Sequence, residues 1–131
     1  VACKTLSEAP HPARIFSMGL VKAASALNLL HPLPETVVIE AFQTLLTRPG
    51  VRVERIVSDG QCSPPGFWYE QAWEEWVLIL QGSGTVELEE DQVWTLGAGD
   101  SLLIPAHCRH RVAHTAARTV WLALHFGEDP A

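Results

Sequence analysis

A histidine and a glutamate carry the clearest chemical signal of this chain. His110 follows the run Gly99-Asp100-Ser101-Leu102-Leu103-Ile104-Pro105, whose glycine turn and proline break fix where the imidazole falls. Glu75 opens a second apolar run, Trp76-Val77-Leu78-Ile79-Leu80-Gln81, which ends in the turn Gly82-Ser83-Gly84. An imidazole and a carboxylate are two of the ligands that non-haem iron, manganese, nickel or zinc accept, and such ions polarise oxygen atoms or activate water. Without an ion the same groups make a hydrogen-bonded pair, because buried polar groups must be satisfied. The residues alone leave both alternatives open.

These side chains have to be positioned by short strands. After Gly50 turn signals recur about every eight to twelve residues, the pattern of an antiparallel sandwich or barrel. Strands are expected at Val51 to Ser58, Phe67 to Gln71, Glu75 to Gln81, Thr85 to Glu89, Gln92 to Leu96, Ser101 to Ile104, Arg109 to His114 and Thr119 to Phe126. Eight such strands make an all-β jelly-roll barrel or sandwich. Ahead of them, Val38, Phe42 and Leu45 recur at helical spacing and Thr47-Arg48-Pro49-Gly50 supplies a stop. The expected organisation is therefore a partly irregular N-terminal extension over residues 1–34, rich in Ala, Leu and Pro, and a domain over 35–131 with a leading amphipathic helix.

Alternate residues of a strand point to opposite faces, so parity decides which groups can meet. Glu75 shares a face with Val77 and Ile79, and His110 with Val112 and His114. If the two valines face the interior, the glutamate and the histidine do too. Tyr69 and Gln71 share one side of their segment with Phe67, and His125 shares one side of the last strand with Trp121 and Ala123.

The two runs that begin the argument resemble the paired motifs of the cupin family, over roughly residues 51 to 126. Gly99, Asp100, Pro105 and His110 fall in the second motif, with His107 where a glycine is usual; Glu75 and Gly82 fit the first, with Tyr69 and Gln71 where its two histidines belong. The string Ser63-Pro64-Pro65-Gly66-Phe67-Trp68-Tyr69-Glu70-Gln71 is similar to a subgroup of small single-domain bacterial cupins. The resemblance implies a jelly roll and a pocket lined by Tyr69, Gln71, Glu75, His110 and one or both of His107 and His125. It also implies a degenerate divalent-metal site (Fe, Mn, Ni or Zn) on Glu75 and His110, with Gln71 or Tyr69 as the third ligand unless His107 or His125 swings in. A divalent ion normally takes at least three protein ligands, so such a site would be weak.

Other residues have simpler readings. His107 is either a second pocket residue or a polar loop residue; His125 reads as a satisfied core or interface group, His114 as a strand-end residue in solvent. The five tryptophans suit a core or a subunit contact, although stacking on a planar ligand is open to them. Trp76, Leu78 and Leu80 make the central strand apolar on both faces, which a dimer can bury, so a homodimer is expected. Glu87, Glu89, Glu90 and Asp91 read as a solvated hairpin edge. The net charge of −6 excludes a nucleic-acid surface as the expected partner. Three cysteines without Cys-x-x-Cys spacing indicate reduced thiols rather than a disulfide framework or a zinc knuckle. No apolar run reaches bilayer length: Ile15 to Leu30 comes nearest, is broken by Lys22, Ser25 and Asn28, and is not organised like a secretion signal. A cytoplasmic domain that does not engage membranes is expected.

Three functions follow. The chain is a metal-dependent small-molecule enzyme of dioxygenase or isomerase type, or a metal-independent binding or sensing protein, or an epimerase-like enzyme with His and Tyr as acid and base on opposite sides of one ligand. The fold alone cannot choose among them.

Overall fold

The computed structural model describes residues 23–35 and 38–127, and the secondary structure they form is strand alone. Eight strands run in order: β1 (Ala41–Arg48), β2 (Val51–Ser58), β3 (Glu74–Gln81), β4 (Ser83–Leu88), β5 (Gln92–Gly97), β6 (Ser101–Ile104), β7 (His110–Thr115) and β8 (Thr119–Phe126). They pair antiparallel into a five-stranded sheet, β1-β2-β8-β3-β6, and a three-stranded sheet, β5-β4-β7. Between the sheets lies a core of Val77, Ile79, Val86, Leu88, Leu96, Trp121 and Ala123. Each strand supplies it through alternate residues, as in β4, where Gly84, Val86 and Leu88 are buried.

Two expectations need correction. The leading helix expected from Glu35 to Leu46 is not found among its described residues: from Ala41 onward the chain is the edge strand β1, paired with β2 on either side of Leu45. The helical spacing of Val38, Phe42 and Leu45 was coincidental. The segment is rich in β-branched and aromatic residues, and a β-bulge at Leu45 absorbs the mismatch. Nor do residues 67–71 form a strand; Tyr69 makes one isolated bridge with His110. Consecutive prolines lack the N–H groups a ladder needs, so the chain turns at Pro64-Pro65-Gly66 and Phe67 N–H donates to Pro64 O at 3.0 Å.

A bulge also interrupts β7, where Ala113 has no partner opposite β4. It reverses the alternation, so His114 points to solvent although His110, four residues earlier, is buried. Gly82 joins β3 to β4 at φ 86°, in the left-handed region that favours glycine, with Thr119 packed against its Cα. Residues 29–35, part of the expected N-terminal extension, are tied to the sheet: Arg55 donates to Leu29 O at 3.2 Å and Arg118 to the carbonyls of Pro34 and Glu35.

Candidate functional site

Glu75 stands opposite Ile104 of β6 and His125 of β8, so its carboxylate enters the space between the sheets from the middle of the larger one. His110 comes from the facing sheet. A reciprocal backbone pair, Tyr69 N to His110 O at 2.7 Å and His110 N to Tyr69 O at 2.9 Å, holds Tyr69 beside it, and Gln71 O accepts from His107 N at 2.7 Å. These contacts set Tyr69 and Gln71 over one end of the sandwich. There they line a cavity of about 200 Å³ with Glu75, His110, His125, Glu40, Glu54 and Phe42, walled by Ile56, Val77, Val86, Ile104, Val112 and Trp121. A larger depression of about 610 Å³, between residues 26–30 and Leu80, has no ionisable lining.

Five of the six expected binding residues thus meet in one cavity. His107 does not line it: the residue is exposed, at φ 63°, in the turn before β7. That left-handed conformation explains why a glycine suits this position. Glu40, Phe42, Glu54 and Trp73 are the site residues that sequence reasoning missed. Glu40 and Phe42 fell in the segment read as helix. Glu54 shares strand parity with Ile56 and Ser58, a signal that marks it as inward-facing but not as a partner of His125.

Hydrogen bonds fix the state of both imidazoles. Nδ1 of His110 lies 3.0 Å from Cys108 O, and a carbonyl only accepts, so Nδ1 carries the proton. Its Nε2 makes no hydrogen bond among the described residues and lies 4.0 Å from Glu75 Oε1. His125 is the opposite case. Trp73 Nε1–H donates to its Nδ1 at 2.9 Å, which leaves the proton on Nε2, and Nε2 donates to Glu54 Oε1 at 3.0 Å. Arg52 donates to Glu54 Oε2 at 2.7 Å. Burial penalises the charged form of Glu54, but the His125 hydrogen bond and the Arg52 guanidinium together outweigh it and hold the carboxyl below its ordinary value. Gln71 Nε2 donates to Glu75 Oε1 at 2.9 Å. Tyr69 stacks along His110, ring centroids 5.8 Å apart at 27°.

The divalent ion that the resemblance implies needs at least three protein ligands. Among the described residues no three His, Cys, Asp or Glu side chains are gathered to hold a metal. His110 Nε2 and Glu75 are available, but both nitrogens of His125 are committed, and Gln71, whose amide nitrogen donates to Glu75, offers only a neutral amide oxygen, a weak ligand for these ions. These residues do not fit a resident ion, and no step is derived through one.

The remaining charged features are structural. Arg109 and Arg111 lie over the Trp68 ring at 5.2 and 6.0 Å, and Arg111 pairs with Glu87 at 2.7 Å. Arg118 turns instead to the N-terminal segment, so the three arginines form no common patch. Glu90 and Asp91 make the exposed turn between β4 and β5. Among the described residues no helix is long and apolar enough to cross a membrane.

The comparisons with known proteins agree with this architecture. The cupin-domain family model matches residues 55–125. A solved structure from Ralstonia eutropha JMP134, of a protein proposed to be a mannose-6-phosphate isomerase, is 46% identical, covers 80% of this chain and 100% of its own, and superposes with a TM-score of 0.76. A cupin superfamily protein from Desulfitobacterium hafniense DCB-2 shares the fold at 21% identity and a TM-score of 0.68, covering 82% of this chain and 95% of its own. An RmlC-like cupin from Desulfovibrio desulfuricans does so at 17% and 0.66, covering 80% and 98%. No protein of curated function matches the chain. With the family model spanning more than half of the sequence and a close relative aligned over its whole length, this chain belongs to the cupin family.

Proposed function

We propose that this cupin binds a small polar molecule through Tyr69, Gln71, Glu75 and His110, without a resident metal ion. The observation that carries the reading is the ring of His110: buried, oriented by the Cys108 carbonyl, with Nε2 unbonded beside the Glu75 carboxylate. Two acceptors 4.0 Å apart cannot bond each other, and one ligand amine between them can donate to both, whereas a hydroxyl, with one O–H, can donate to only one of them. A cavity of about 200 Å³ is smaller than the roughly 300–1,000 Å³ that drug-sized ligands occupy, so the ligand is compact. The Ralstonia relative is proposed to act on a molecule of that size class.

The epimerase-like reading loses support from the same geometry. It needs Tyr69 and His110 on opposite sides of a ligand, and the two rings stack side by side at 5.8 Å with no room between them. A metal-dependent enzyme would have to take its third ligand, beside His110 and Glu75, from the neutral Gln71 amide oxygen or from Glu40, whose other oxygen already accepts from Ser58. Elemental analysis of protein purified without chelator or nickel decides the matter: substoichiometric metal, with calorimetric ligand binding unchanged by EDTA and lost in His110→Ala, supports the proposal. Stoichiometric metal that disappears in His110→Ala returns the metal-dependent reading.

The proposed assembly is a homodimer. Its support is the outer face of the large sheet, where Trp76 and Leu103 are paired neighbours and remain 37% and 51% exposed. Light scattering on wild type and Trp76→Glu tests it, with a monomeric wild type as the refuting result.

A further inference from the structure

Apart from the second N–H of Gln71, every nitrogen donor fixed around the cavity is already spent, and what remains is a set of acceptors. Trp73 Nε1–H goes to His125, His125 Nε2–H to Glu54, and Trp121 Nε1–H to Ser58 Oγ at 3.2 Å. The Ser58 hydroxyl in turn donates to Glu40, and one N–H of Gln71 to Glu75. Left over are His110 Nε2, the second oxygens of Glu75 and Glu40, and the Gln71 carbonyl. Tyr69 can serve either way through its hydroxyl.

Charge points in the same direction. Three carboxylates, Glu40, Glu54 and Glu75, line the cavity, and neither lysine nor arginine does among the described residues. Arg52 neutralises Glu54 from outside it. The Glu75 side chain is 12% exposed; among the described residues its one hydrogen-bond donor is the Gln71 amide, and His125 Nε2, committed to Glu54, stands 3.9 Å from its second oxygen. A buried carboxylate in that position is stabilised by a cation and destabilised by a second anion. Phe42 and Tyr69 add aromatic surface at the rim, where a cation is favoured over an anion.

Resting on the binding reading above, we infer that the ligand is a small cationic amine whose ammonium donates to Glu75 and His110 Nε2, and that phosphorylated or carboxylated molecules are excluded. An ammonium brings three donors and no acceptor, the complement of this lining. A phosphate brings only acceptors and negative charge. The cavity is therefore matched to a different charge class from the phosphosugar named for the Ralstonia relative.

Calorimetry with two series of matched probes tests this: isopropanolamine, propylene glycol and lactate, then mannosamine, mannose and mannose 6-phosphate. In at least one series the amine is expected to bind roughly ten-fold more tightly than its neutral counterpart, with no binding of the anion. Glu75→Gln is expected to erase the preference for the amine while keeping the melting temperature. Tighter binding of the neutral or the anionic member overturns the inference and leaves the binding reading standing. If no amine binds, the inference falls as well, and the metal and EDTA measurements then judge the binding reading separately. Amine preference that survives in Glu75→Gln overturns the assignment of the ammonium to that carboxylate.

Discussion

The cavity holds two polar groups, its two ends, each built from a glutamate, a histidine and an aromatic residue. Glu75 stands between them, 4.0 Å from His110 Nε2 and 3.9 Å from His125 Nε2. The two ends differ in one respect. At one end Glu54, His125 and Trp73 form a closed chain in which each polar atom of the imidazole has a partner at 2.9 to 3.0 Å and Arg52 completes the carboxylate. At the other, Glu75, His110 and Tyr69 are as well ordered but leave Nε2 and a carboxylate oxygen without hydrogen bonds. Residue type does not distinguish the ends; spare hydrogen-bonding capacity does. A satisfied buried histidine stabilises the fold, and an unsatisfied one facing a cavity is available to a ligand.

The most disruptive test removes the framework that both ends share. Gly82→Val places a branched residue at positive φ with its Cβ 2.8 Å from Thr119 Cα, against the strand that carries His125. The expected loss is about 3 kcal/mol, seen as a marked drop in melting temperature or as insoluble protein. A soluble variant with an unchanged midpoint would contradict the turn.

Next in size is His125→Ala, which strips Glu54 of its buried donor and Trp73 of its acceptor. Denaturant unfolding is expected to show a loss of roughly 2–3 kcal/mol. His110→Ala gives up a single hydrogen bond to Cys108 O, so its stability cost is about 1 kcal/mol, while ligand affinity falls roughly ten-fold or more. Equal stability losses for the two histidines would abolish the distinction between the ends.

The smallest effect is that of acid on the closed end. Because the folded state holds the Glu54 carboxyl below its ordinary value of 4.5, its contribution is fully present above that pH and is lost as pH falls from about 4.5 through the lower folded value. Glu54→Gln is expected to be less stable than wild type at neutral pH and to lose less on acidification. Parallel pH profiles of the two proteins would show that Glu54 is not the group responsible.

Legibility in the sequence was uneven for physical reasons. Strands β2, β6 and β8 could be read to the residue because apolar alternation is bounded by glycine, proline or charged turns. Parity placed Glu75 and His110 inside, correctly, since both lie in strands whose alternation is unbroken up to them. Parity alone put His114 on the face of His110, whereas its place at the strand end put it in solvent, where it lies, because the extra residue at Ala113 reverses every face after it. Over residues 35–46 apolar spacing fitted a helix as well as a strand, and pairing with β2 decided for the strand.

What the sequence determined by itself was the family, the antiparallel sandwich and the inward direction of the central glutamate and histidine, since period and turn chemistry are local properties. Only the tertiary structure decided what those groups touch. That Glu54 completes His125 and that Glu40, just ahead of β1, reaches the cavity are contacts between segments distant in sequence. Hydrogen-bond partners across a sandwich follow from register and bulges, which no local pattern encodes.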